Sequence, residues 1–148
     1  MKFLVINGPN LNRLGQRDPS HYGSQTLDEI VALLVKRASE LGVELVTFQS
    51  NSEGAIIDFI QENANNAHGI IINPGALTHY GLSLREALAD VSIPIVEVHL
   101  SNIYAREPWR HQSVVAPVAR GHIVGLGWRG YLLALEALTS ILREKQQS

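Results

Sequence analysis

The stretch "VEVHLSN", residues 96 to 102, sets a carboxylate and an imidazole two positions apart. On a strand, positions i and i+2 share a face, so Glu97 and His99 lie side by side. Such a carboxylate fixes the tautomer and orientation of the ring, as base–orienter pairs do in proton transfer. The bland alternative is a satisfied buried pair. Further on, "AREPWRHQS", residues 105 to 113, supplies Arg106 and Arg110 four apart around Glu107. They are either a solvated cluster or a seat for an oxygen-rich organic anion. "NPGALTHYG", residues 73 to 81, brings Asn73 and His79, although Asn73-Pro74-Gly75 alone reads as a turn. Finally "GPNLNRLGQRDPSHYG", residues 8 to 23, holds Asn10, Arg17, His21 and Tyr22. A strand-to-helix connection usually needs about 2–6 residues, so this one is long enough to carry side chains onto a ligand.

Several chemistries drop out. The segment from Gly8 lacks both the GK[ST] ending of a P-loop and the spacing of GxGxxG. A receiver domain would put acidic groups where Asn7, Asn10 and Asn73 stand, and no GxSxG elbow is present. With no cysteine, disulfides, thiolate zinc sites and cysteine nucleophiles are excluded together. A zinc site from His79, His99 and His111 stays open, because neutral imidazoles suffice. The lysines are Lys2, Lys36 and Lys145. None follows a strand, so Schiff-base catalysis has no candidate. Proton chemistry by tyrosine and histidine, with arginine help, remains.

These residues need a frame to bring them together. Phe3–Ile6, Glu44–Phe48, Gly69–Ile72, Ile93–Leu100 and Gly121–Leu126 read as strands. The first, third and fourth are near-continuous in Val, Ile and Leu, as parallel strands covered on both faces are. Thr26-Leu27-Asp28-Glu29 is a capping box that opens a helix with the apolar stripe Leu27, Ile30, Val31, Leu34, Ala38 and Leu41. Gly42 closes it. Further helices are expected over Glu53–Ala64, Tyr80–Ala89 and Gly130–Glu144, while Val114–Val118 is ambiguous and Lys145–Ser148 reads as a polar tail. Strand and helix alternating five times predicts a single α/β domain over residues 1–148, a doubly wound five-stranded parallel sheet with helices on both faces. Ligands of such sheets bind beyond the carboxyl ends of the strands. Asn73, His79, Glu97, His99, Ser101, Arg106 and Arg110 all issue toward that edge.

At 148 residues the chain can bury a sizeable core. Its formal net charge of −2 offers no basic face for nucleic acid. No apolar stretch approaches the roughly 20 residues needed to cross a bilayer, and no signal-peptide pattern opens the sequence. The expectation is a cytoplasmic protein with no membrane partner.

"INGPNLNRLGQRDPSHYG", "INPGALTHYG", "VEVHLSN", "AREPWRHQS" and "GHIVGLGWRGYLLAL" together resemble the type II 3-dehydroquinate dehydratases, from Lys2 to about Leu142 and in that family's order. The resemblance implies a flavodoxin-like fold and anti elimination of water from 3-dehydroquinate, through an enolate, with no metal or organic cofactor. It makes Tyr22 the proton acceptor, Arg17 the essential arginine beside it and His99 the general acid, oriented by Glu97. Asn10 holds a water against the enolate oxygen. The substrate carboxylate meets Leu100 and Ser101, and its ring hydroxyls meet Asn73, His79 and Arg110. A tyrosine, ordinarily with a pKa near 10, serves as a base only where positive charge favours its phenolate. On this view the long first loop is a lid that delivers Arg17 and Tyr22, with Gly15 and Gly23 as hinges.

The sequence departs from the family at Glu86, where aspartate is usual and reaches a neighbouring subunit's site, and at Tyr80-Gly81 and Tyr104. Family members assemble as trimers, typically four to a dodecamer, so a homododecamer is expected. The rival reading is a flavodoxin-like module that binds a cyclic hydroxy acid without turnover.

Overall fold

From Phe3 to Asn7, from Gly69 to Asn73 and from Ile95 to His99, every residue is buried. Side chains alternate between the faces of a strand, so burial of every position requires a cover on each side. The structure, a computed structural model, describes residues 1–147. It supplies both covers. In chain order the elements are β1 (Lys2–Asn7), α1 (Pro19–Tyr22), α2 (Leu27–Leu41), β2 (Glu44–Gln49), α3 (Glu53–Asn63), β3 (Gly69–Asn73), α4 (Leu82–Ala89), β4 (Ile95–His99), β5 (Gly121–Val124) and α5 (Arg129–Gln147). Short 3₁₀ turns join them.

All pairings are parallel, in the order β2-β1-β3-β4-β5. This is the flavodoxin-like order, and its reversal between β1 and β3 opens a crevice at their carboxyl ends. One core layer packs Phe3, Val5, Ile71, Val96 and Val98 against Ile30, Leu34 and Ala38 of α2 and Tyr131, Leu135 and Leu138 of α5. The other packs Leu4, Ile6, Ile70, Ile72 and Ile95 against Ile56 and Ile60 of α3 and Leu84 and Leu88 of α4. Glu97 alternates with Val96 and Val98, so it projects into this second layer, where a hydrophobe would otherwise sit.

The element ends show local chemistry at work. Thr26 Oγ1 accepts from the Glu29 backbone N–H at 3.1 Å, as the capping box requires. The Glu29 carboxylate, however, accepts from the Thr26 hydroxyl at 3.1 Å instead of reaching the backbone. Helix α4 begins at Leu82, not Tyr80, because Gly75–His79 forms a 3₁₀ turn first. Its N-terminus is capped from a distance: the Glu53 carboxylate of α3 accepts from the Leu84 backbone N–H at 3.0 Å. Strand β4 starts at Ile95 instead of Ile93, since Pro94 has no N–H for a ladder. Strand β5 stops at Val124, where Gly125 leaves the extended region with φ 88°. The ambiguous Val114–Val118 segment ends in a 3₁₀ turn over Ala116–Val118. The expected polar tail is helical through Gln147, and Ser148 lies outside the described residues. Among the described residues, no helix is long and apolar enough to cross a membrane.

Candidate active site

The loops that follow β1 and β3 interlock at the crevice. Gly8 donates its N–H to Asn73 O at 2.8 Å. A Cβ on Gly8 would stand 2.3 Å from Pro74 O, and one on Gly75 2.9 Å from Pro9 O. Backbone therefore lies against backbone, an approach only glycine allows. This contact aims Asn10, whose φ of 70° is the one positive value at a non-glycine among the described residues. Asparagine tolerates that left-handed conformation better than most residues. The Asn10 N–H is held by Asn51 Oδ1 at 3.0 Å.

Behind the loops, Tyr131 of α5 is fully buried and reaches across the sheet. Its hydroxyl donates to Asn7 Oδ1 at 2.6 Å and accepts from Asn73 Nδ2 at 3.0 Å. Burial pushes the Tyr131 phenol well above its usual range, so it stays a neutral donor. Asn73 Oδ1 in turn accepts from the Gly75 N–H at 3.1 Å. Its amide is thus locked, with one Nδ2 hydrogen left over.

These parts frame a cavity of about 230 Å³. It is lined by Asn10, Arg17, Tyr22, Asn73, His79, His99, Leu100, Ser101, Arg106 and Arg110, ten of the residues singled out from the sequence. Trp109 lines it as well. Residues 8 to 23 are not an idle loop: Leu11–Arg13 is a 3₁₀ turn and Pro19–Tyr22 a short helix capped by Asp18, which accepts from Ser20 N at 2.9 Å. That turn of helix carries Tyr22 to the cavity. The Arg17 guanidinium carbon lies 3.8 Å from the centre of the Tyr22 ring, and that of Arg106 5.2 Å. Arg106 Nη1 donates to the Tyr22 hydroxyl at 2.9 Å and to Ser101 Oγ at 3.0 Å. The Arg106 side chain is only 8% exposed, so its charge is little screened by water.

His99, which also lines the cavity, is 6% exposed, and Glu97 is wholly buried. His99 Nε2 makes a hydrogen bond to Glu97 Oε2, and the Thr78 hydroxyl donates to the same oxygen. The Ser113 hydroxyl donates to Glu97 Oε1 at 2.9 Å. Burial alone would raise the Glu97 carboxyl, but the imidazoles of His122 and His99 and the Thr78 hydroxyl outweigh it. The group is held well below the usual carboxylate range and is an anion at neutral pH.

His79 Nδ1 lies 2.8 Å from the carbonyl of Gln112. A carbonyl only accepts, so Nδ1 carries the hydrogen and Nε2 is left as an acceptor. Burial lowers the His79 pKa, which keeps the ring neutral. Its edge meets Trp109, ring centres 5.2 Å apart, and Arg110 stacks on Trp109 at 4.0 Å. Arg110 Nε also donates to Glu107 at 2.8 Å, so the arginine pair is not simply solvated.

Two further groups read from the sequence remain. Glu86 is exposed on α4 and does not line this cavity. The three histidines considered for zinc do not form a ligand group among the described residues, because His111 turns its Nε2 to Arg106 O at 3.0 Å. Thr78, Ser113, His122 and Tyr131 went unnoticed in the sequence. Each acts through a partner remote in the chain, and none carries a local pattern.

A flavodoxin-like sheet with a tyrosine in contact with two arginines, sharing one small cavity with a histidine that is bonded to a buried carboxylate, defines an α/β enzyme of the proton-transfer type. Comparison with known proteins makes this more specific. Residues 1–139 match the family Dehydroquinase class II. A 3-dehydroquinate dehydratase of Roseiflexus castenholzii is 68% identical over 138 residues, covering 93% of this chain and 88% of that protein. One from Bacillus subtilis is 55% identical over 138 residues, 93% of each. Among solved structures, the type II dehydroquinase of Propionibacterium acnes superposes with a TM-score of 0.91 at 43% identity, covering 94% of this chain and 96% of that one. That of Butyrivibrio crossotus gives 0.91 at 50% identity, covering 93% and 97%. The chain belongs to the class II dehydroquinase family.

Proposed function

We propose that this protein is a 3-dehydroquinate dehydratase of the shikimate pathway, removing water from 3-dehydroquinate to give 3-dehydroshikimate. The observation that carries the reading is that one cavity is lined by two proton-handling groups, Tyr22 with its two guanidiniums and His99 with Glu97 bonded to it. Tyr22, as phenolate, takes a proton from the carbon beside the ketone. The electron pair moves to the carbonyl oxygen as an enolate, which Asn10 meets through a water. The positive charge of Arg17 and Arg106 stabilises the phenolate that starts the step. The enolate then collapses: the ketone reforms, a carbon–carbon double bond forms, and the C–O bond to the leaving hydroxyl breaks with its electron pair. His99, protonated, gives that hydroxyl its proton, so water departs, and the Glu97 anion steadies the imidazolium beforehand. Solvent exchange returns Tyr22 and His99 to their starting states.

In this reading the substrate carboxylate sits at the backbone N–H groups of Leu100 and Ser101, with the Ser101 hydroxyl. Asn73, His79 and Arg110 take the ring hydroxyls. His79 Nε2 suits that role, being an acceptor on a neutral ring. The reaction uses no metal or organic cofactor. The protein works in the cytoplasm as trimers joined into a homododecamer. Exposed Tyr80 and Leu82 supply apolar area for such contacts, and Glu86, exposed one turn along α4 from Leu82, reaches a neighbouring site.

The test follows the conjugated enone of the product by ultraviolet absorbance on mixing protein with 3-dehydroquinate. Parallel samples carry a chelator or receive borohydride pretreatment. Turnover untouched by both supports cofactor-free elimination without a Schiff base. Tight binding with no absorbance change would overturn it in favour of a non-catalytic binding module.

A further inference from the structure

His122 stands outside the machinery described so far. It lines no part of the cavity, yet it is the cross-strand partner of Glu97 in the β4–β5 ladder. Paired residues of neighbouring strands project to the same face, so the imidazole is delivered to the carboxylate by register. His122 Nε2 lies 3.4 Å from Glu97 Oε2. That nitrogen is sealed from solvent and has no aligned hydrogen-bond partner. The His122 ring also meets the His99 ring edge-on, centres 5.4 Å apart and planes at 79°.

We propose that His122 is a positioning residue for this reaction, completing a His99–Glu97–His122 array in which one buried carboxylate is shared by two imidazoles. The inference rests on the reading of His99 as the general acid. Glu97 is already held by Thr78 on Oε2 and by Ser113 on Oε1, so the carboxylate cannot follow one ring without leaving the others. His122 closes the remaining side. Its Nε2 stands 3.4 Å from Oε2, and its ring packs edge-on against that of His99. His99 is thereby confined to the tautomer with hydrogen on Nε2, which leaves Nδ1 to carry the proton that is delivered.

The same three ligand atoms lie within 4.8 Å of one another, a spacing a divalent cation accepts. The hydroxyls of Thr78 and Ser113 would have to give up the carboxylate first, which favours the hydrogen-bonded array.

The experiment compares wild type, His122→Val and His122→Gln. It measures kcat and KM with 3-dehydroquinate and the His99 tautomer by nitrogen-labelled histidine NMR. The expected result for His122→Val is kcat lower by about tenfold, KM within about twofold and a mixture of His99 tautomers. His122→Gln, whose amide donates to Glu97 without titrating, restores a single tautomer and most of the rate. Wild-type kcat with a single tautomer in His122→Val would overturn the proposal. So would a raised KM at unchanged kcat, which marks a substrate contact, or stoichiometric uptake of micromolar Zn²⁺ that His122→Val abolishes. If the valine variant fails to fold by circular dichroism, the glutamine variant decides: loss of both rate and the single tautomer refutes donation to Glu97. Absence of turnover in the wild type would strike the dehydratase reading instead, while the tautomer comparison would still judge the array.

Discussion

At Tyr22, one guanidinium donates a hydrogen bond to the hydroxyl and another lies over the ring. Tyr22→Phe removes the proton acceptor but none of the packing, and Arg17→Ala removes charge from a half-exposed side chain. Each is expected to lower turnover by orders of magnitude with an unchanged circular dichroism spectrum. Near-wild-type turnover in either variant would dismiss Tyr22 as the base. For His99→Ala the expected loss is about 10²–10⁴-fold, the usual worth of a general acid; a loss under about tenfold would demote His99 to a structural part. Much of this site was legible from the chain alone. Glu97 and His99 share a face by the period of a strand, and Asn10, Asn73 and Ser101 sit where apolar runs end. Thr78, Ser113 and His122 were not legible. They reach Glu97 through a 3₁₀ turn, a fold-back and a cross-strand register, all of which are properties of distant segments.

Elements set how accurately those groups are aimed. The β1 and β3 loops touch backbone to backbone at Gly8, where a methyl group would fall 2.3 Å from Pro74 O. Gly8→Ala is therefore expected to push the two loops apart and to weaken substrate binding and turnover together. Wild-type KM and kcat in that variant would show that the apposition is dispensable. Helix α5 secures the same loops through Tyr131. Tyr131→Phe leaves Asn7 Oδ1 and Asn73 Nδ2 without their shared partner inside the core. The expected cost is about 1–3 kcal/mol in denaturant unfolding, with a further loss of affinity because Asn73 lines the cavity. An unchanged midpoint would mean that another donor fills the gap. The sequence announced the helices and strands well where the signal was periodic, as in the stripe from Leu27 to Leu41. It misjudged ends governed by single residues or by distant caps: Pro94 trimmed β4, and Glu53 of α3 helps to set where α4 begins.

The molecule as a whole carries an acid-sensitive point in its core. The Glu97 carboxyl is held below its ordinary value of about 4.3, so below that pH the unfolded chain binds more protons than the folded one. Stability from this group is full above the ordinary value and is lost as pH falls through the folded one. Denaturant titrations between neutral pH and pH about 3 should show a decline that Glu97→Gln flattens. An equal decline in the variant would assign acid sensitivity to other carboxylates. The five-strand order was legible through the family resemblance, and from the strand–helix pattern alone only as a class. Alternation of strands and helices dictates a parallel sheet, whereas the reversal between β1 and β3 depends on which faces the crossovers take.

The hydroxyl bridge from Tyr131 to Asn7 has a consequence for how the protein comes into being on the ribosome. Its two ends are 124 residues apart, so the asparagine leaves the exit tunnel long before its anchor is translated. A nascent chain paused ahead of α5 already possesses Asn10, Tyr22 and His99, but lacks the hydroxyl that ties the Asn7 and Asn73 side chains together. The side-chain anchor behind Asn73 is thus completed late in synthesis, when the last helix docks.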